Sequence, residues 1–231
     1  MVPTLLYQQP MSTSDKKTLT PEIAGPEHRT EKMLLERLKN SKTEEDYFRW
    51  MLFVVGFYRG ISKAEEATTL LKDFIKQSHN DEQKAHCQLA LGQMATDENC
   101  LETALKHFQA ALVFQPKKKK VAYVIHNNIG YCLNTLGRYT EGEKHCRFAI
   151  EINWARASGY RNLGVSLQGQ GNPIAAAWAL VEAVKAEASD PRARALLEAL
   201  LAEHPTIVAR CPWIADGLNP DLKTTASLPL V

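Results

Sequence analysis

An aliphatic residue followed by glycine recurs at Leu91-Gly92, Ile129-Gly130 and Leu163-Gly164, each time inside a stretch of helical periodicity. A glycine in a helix interior costs roughly 1 kcal/mol relative to alanine. A chain that accepts this cost three times at a regular interval uses the position for a close approach of two helices. The second and third pairs are 34 residues apart (164 − 130), and the first and second 38 apart (130 − 92). That period constrains the chain to a stack of similar helical units, each burying its apolar face against the next.

The downstream positions repeat as well. Ala104, Gly142 and Ala176 are small residues at one matched place. Phe108, Cys146 and Leu180 follow four later, then Ala111, Ala149 and Ala183 three after that. A turn at Asn99, Gly137 or Gly171 splits each unit into two helical stretches. In LETALKHFQAALVF the apolar residues fall at i, i+3, i+4 and i+7 spacing, the signature of an amphipathic helix. The four extra residues of the first interval match the tetralysine Lys117–Lys120, which reads as a solvated loop.

A more divergent unit precedes these. Val55-Gly56 lies 36 residues before Leu91-Gly92, and Ala67, Leu71 and Phe74 give the small-large-large spacing of a second helix. Ser62 with Glu65 reads as the capping box that starts it. After the third unit, Asp190-Pro191 is a helix start, since proline suits the first helical position. Ala193, Leu196, Leu197, Leu200 and Leu201 share one face of that helix, and Glu198 stands 34 residues after Gly164. A charge at the close-packing position marks a helix that caps the stack.

This pattern resembles the tetratricopeptide repeat, a 34-residue helix–turn–helix with the consensus W-x-x-L-G-x-x-Y…A-x-x-x-F…P. The first unit, with Leu91-Gly92, Ala104, Phe108 and Pro116, is the nearest match. Gln88, His126 and Tyr160 replace the usual tryptophan, and Trp154 and Ala188 replace the closing proline. The resemblance implies an all-α solenoid of about four helical hairpins, three clear and one divergent, with a C-terminal capping helix. The expected organisation is a disordered proline-rich segment over 1–29, a helical array over 30–204 opening with a short helix at 30–40, and an irregular tail over 205–231.

The composition narrows the function classes. A net charge of +2, from 28 basic and 26 acidic residues, does not suggest a nucleic-acid binder, which concentrates basic residues on one face. The longest apolar run, MLFVVGFY, is far short of the ~20 residues of a membrane span. The N-terminus lacks a basic start followed by an apolar stretch, so no secretory signal is expected, and Met11 is a second candidate start. Cys87, Cys100, Cys132, Cys146 and Cys211 form no C-x-x-C pair and read as reduced thiols of a cytoplasmic protein.

No G-x-S-x-G or GxxxxGK[ST] motif is present, and no H-x-x-x-H or C-x-x-C spacing. Neither an enzyme nor a metal or cofactor is expected. The leading helices of such arrays line a concave surface. There Asn127, Asn128, Tyr131 and Asn134 of the second unit fall together, followed by Arg161, Asn162 and Gln168 of the third. Asn128 and Asn162 occupy the same slot one repeat apart. Such rungs carry both donor and acceptor, and either bind the backbone of an extended peptide or satisfy bonds between repeats. Family members that clamp acidic chaperone tails use a lysine and asparagine, an asparagine, then a lysine and arginine. Only Asn128 matches that set, against Leu89, Gln93, Ser158 and Asn162 elsewhere. The expected function is a protein-interaction scaffold or adaptor that holds a peptide or protein segment in the groove. The alternative is a secretion or assembly chaperone for one client. The sequence does not define an oligomeric state.

Overall fold

The computed structural model describes residues 25–214, and every regular element among them is helical. The chain divides into two compact units, the first ending at Ser78 and the second beginning at His79.

The first unit contains α1 (Pro26–Lys39), α2 (Glu44–Gly60) and α3 (Ala64–Gln77). Helix α1 begins earlier than the expected 30–40, within the segment assigned to disorder. The physical reason is that Pro26 sits at the first helical position, where its missing N–H costs nothing. Residues 1–24 of the expected disordered segment lie outside the described residues. Thr43 caps α2 by accepting from the Asp46 N–H at 3.1 Å. One stripe of α2 is buried, formed by Met51, Val54, Val55 and Tyr58. The capping box at Ser62 does not form. Ser62 is instead a turn residue at φ 60°, and α3 is preceded by Lys63 without a side-chain cap.

The second unit holds three hairpins: α4 (Asp81–Asp97) with α5 (Leu101–Val113), α6 (Lys119–Thr135) with α7 (Tyr139–Ile152), and α8 (Ala157–Gly169) with α9 (Pro173–Ala186). Each hairpin packs on the next, and α10 (Pro191–Glu203) packs on α9. The turns inside the hairpins adopt positive φ at Asn99, Gly137 and Gly171, as the spacing predicts. The joint from Phe114 to Lys118 separates α5 from α6, with Lys117–Lys120 all exposed.

The repeating glycines sit where leading and trailing helices cross. A Cβ built on Gly92 would collide with the Phe108 ring, and one on Gly130 would lie 2.6 Å from Cys146 Sγ. At Gly164 it would meet Leu180 at 2.7 Å. Phe108 is fully buried at that crossing, and burying such a ring contributes about 1.5–3 kcal/mol. Gly56 is different: its space is open, with nothing within 4 Å. The residue that precedes Ala67 by twelve, as Gly92 precedes Ala104, is Val55, which is buried. The first hairpin is therefore registered one residue earlier than its glycine suggests.

Helix α10 buries Ala193, Leu197 and Leu200 and leaves Glu198 exposed. The expected irregular tail begins later than residue 205. Helix α11 (Thr206–Arg210) follows Pro205, and Ile207, Cys211 and Ile214 are buried in one cluster with Leu197 and Leu200. Prolines 205 and 212 shorten the helix, but apolar residues spaced four and three apart still find the core. Residues 215–231 of the expected tail lie outside the described residues.

Candidate functional site

Three leading helices, α6, α8 and α10, line a cavity of about 570 Å³ in the second unit, joined at its edge by Tyr139 from α7. Of the seven residues assigned to a groove, Tyr131, Asn134, Arg161 and Asn162 line it, and Asn127, Asn128 and Gln168 do not. Tyr131 presents its ring at 45% exposure. Val165, Ala195 and Leu196 add apolar wall.

Two of the asparagines tie helices together. Asn134, buried, donates through Nδ2 to the Asn162 carbonyl at 2.8 Å and accepts at Oδ1 from Ser166 Oγ at 2.7 Å. Asn162, also buried, donates to the Asn127 carbonyl at 3.2 Å and to Asn127 Oδ1 at 3.1 Å. The slot shared by Asn128 and Asn162 thus does not give two equivalent rungs. Asn162 reaches back to the residue before its counterpart, while Asn128 accepts from Asn127 Nδ2 at 3.4 Å. Gln168 donates to Glu203 at 3.1 Å.

Charge at the cavity comes from Arg161, which the sequence marked, and from Arg192 and Asp190, which it did not. Asp190, with its side chain only 3% exposed, pairs with Arg161 and with Arg192 at 2.9 Å. Asp190 also caps α10 by accepting from the Arg192 N–H at 3.0 Å. The Arg192 hydrogen bond holds the Asp190 carboxyl below its ordinary range despite burial. Burial lowers Arg161, with Arg192 beside it acting in the same direction. Asp190 raises Arg192, whose side chain is 72% exposed. Two guanidiniums face this carboxylate, and the Glu187 carboxylate acts on both of them, so the group carries no net charge. Asp190 was legible only as a helix cap, because no periodicity signals an ion pair between residues 29 apart (190 − 161). The cavity offers a polar floor that is already bonded, an apolar wall, an exposed tyrosine and the largely exposed guanidinium of Arg192. That combination suits an extended chain carrying apolar side chains and hydrogen-bond acceptors.

Among the described residues no cluster of three or more histidine, cysteine or carboxylate side chains is arranged to hold a metal. No helix among them is long and apolar enough to cross a membrane. Cys87, Cys132, Cys146 and Cys211 are buried, Cys100 is exposed, and all five are free thiols.

No protein-family model matches the chain. Over 137 residues it is 31% identical to tetratricopeptide repeat protein 7B of Homo sapiens, which covers 58% of this chain and 15% of that protein. The chain thus corresponds to a small part of that relative's length. Among solved structures, BtubC from P. vanneervenii is similar at TM-score 0.67 and 15% identity, over 90% of this chain and 99% of that one. YrrB, described as a TPR protein with an unusual peptide-binding site, is similar at TM-score 0.55 and 16% identity, over 73% of this chain and 82% of that one. At these identities the structural likeness speaks for the fold.

Proposed function

We propose that this chain, whose fold is that of tetratricopeptide-repeat proteins and presents concave surfaces to partners, is a non-catalytic interaction scaffold holding an extended protein segment between α6, α8 and α10. The observation that carries this reading is the cavity itself, with Tyr131, Leu196 and the Arg161–Asp190–Arg192 group around a floor of bonded asparagines. The peptide-binding site named for YrrB supports the same use of a similar fold. The segment favoured carries apolar side chains and an acceptor for the exposed Arg192 guanidinium, and any charged part of that contact fades as salt rises. The free cysteines support a reducing, cytoplasmic setting.

The test uses partner peptides captured by the full chain from native lysate and resynthesised. Ala195→Trp would fill the groove from an exposed position, and Tyr131→Ala would remove its exposed ring. Both are expected to weaken binding at least tenfold in titration calorimetry without lowering the melting temperature. Parent-like affinity in both variants would move the binding surface elsewhere.

A further inference from the structure

The chain that follows α11 starts out beside the cavity. Ile214, the last described residue, is fully buried in one cluster with Leu197 and Leu200 of α10. That same helix contributes Arg192, Ala195 and Leu196 to the cavity wall. The sequence then continues as ADGLNPDLKTTASLPLV. We propose that residues 218–222, the stretch LNPDL, are an internal ligand of the cavity between α6, α8 and α10 that a partner segment must displace, a role that rests on this cavity being the partner-binding surface.

The composition of the stretch matches the cavity. Pro220 fixes its own φ near −65° and disfavours helical backbone at Asn219, so LNPDL suits extended chain rather than a further helix. In an extended chain alternate side chains share a face. Leu218, Pro220 and Leu222 then fall on one face, and Asn219 and Asp221 on the other. The cavity is divided in the same way, with Val165, Ala195 and Leu196 as apolar wall and the largely exposed Arg192 beside them. Arg192 bonds Asp190 through Nε at 2.9 Å and Nη2 at 3.4 Å. A guanidinium carries five N–H donors, so others are left to meet the Asp221 carboxylate.

Reach permits the contact. Leu222 stands eight residues beyond Ile214 (222 − 214), a span of at most about 26–29 Å. A helix such as α10 is about 10–12 Å across, so the stretch can pass round it while Ile214 stays buried. Tethered this closely, it meets the cavity at an effective concentration on the order of 1 mM. A stretch whose free peptide binds at about 0.1 mM would then fill the cavity in about nine chains of ten, and would weaken a competitor about tenfold.

The probe is a synthetic peptide of residues 215–224 added to the full chain, with the methyl resonances of Val165 and Leu196 followed by NMR. In the full chain, Leu218→Ser with Leu222→Ser is expected to shift both resonances and to raise affinity for the peptide about tenfold. Adding the peptide to this variant is expected to return the resonances close to their parent positions. Introducing Ala195→Trp as well is expected to abolish peptide binding. Parent-like resonances in the doubly substituted chain, or no binding of the peptide to it, would overturn the internal ligand. Neither result touches the scaffold reading, which falls if captured partner peptides bind Ala195→Trp and Tyr131→Ala as they bind the parent.

Discussion

The hairpin of α2 and α3 and the hairpin of α6 and α7 carry matching landmarks around different crossings. In the latter, Gly130 precedes Gly142 by twelve residues and Cys146 by sixteen, and a Cβ in its place would strike Cys146. In the former, the same offsets lead from Ala67 and Leu71 back to Val55, a full side chain only 3% exposed. Its neighbour Gly56 faces open space. The position in the hairpin, counted from the trailing helix, defines the crossing. A glycine marks that position only where the helices come within backbone distance.

The sharpest way to break this comparison is to add side chains to both glycines. Gly130→Leu is expected to overpack the crossing and destabilise by about 1–3 kcal/mol in urea unfolding. Gly56→Ala is expected to raise stability by up to about 1 kcal/mol, because it replaces an exposed helix glycine. Equal losses at both sites would show that the two hairpins are registered alike after all. A comparable effect is expected for Asn134→Ala, which removes the bond to the Asn162 carbonyl and the one from Ser166, leaving that hydroxyl only the Asn162 carbonyl at 3.0 Å, and costs about 1–3 kcal/mol.

Charge gives a smaller test. Asp190→Ala removes the α10 cap, expected to cost about 0.5–2 kcal/mol in the same unfolding assay. The acid limb carries a definite sign. The Asp190 carboxyl is lowered in the folded state, so its contribution is present above the unfolded value of about 3.9 and is lost as pH falls through the folded one. Asp190→Asn is therefore expected to flatten the fall in melting temperature below about pH 4. His126 adds a second limb. Its lowered value means that stability falls as pH drops from the unfolded value of about 6.5 toward about 4, and His126→Gln is expected to make that slope shallower, with His145 and His86, also lowered by burial, keeping the rest. The least effect belongs to the first unit's ion pair of Glu31 and Lys63, where the lysine is 38% exposed. Glu31→Gln is expected to change stability by about 0–1 kcal/mol.

Much of the fold was legible because packing leaves periodic traces. Gly92, Gly130 and Gly164, the left-handed turns and the buried face of α10 all follow from spacing. The first hairpin departs by one residue because Val55, not Gly56, of its aliphatic-glycine pair stands at the crossing. Ile207, Cys211 and Ile214 were hidden by flanking prolines, which interrupt the helix without preventing burial. At the groove, sequence spacing found Tyr131, Asn134, Arg161 and Asn162 on a shared surface. Periodicity specifies the face on which a side chain lies but says nothing of its bonds. Asn134 and Asn162 therefore read like ligands, although their amides brace neighbouring helices, and Asp190 read as a cap alone.

The joint between α5 and α6 has a consequence for how such a chain changes length. From the crossing residue to the left-handed turn is seven residues in all four hairpins: Val55 to Ser62, Gly92 to Asn99, Gly130 to Gly137 and Gly164 to Gly171. From one crossing to the next the count varies, at 37, 38 and 34. The hairpin is thus the constant module, and the joints carry the differences in length. An epitope placed between Lys117 and Lys118 would lengthen a solvent-facing connection, and each doubling of a flexible loop costs only about 0.6 kcal/mol. The same epitope placed at Gly137 would have to cross a turn whose length the packing dictates.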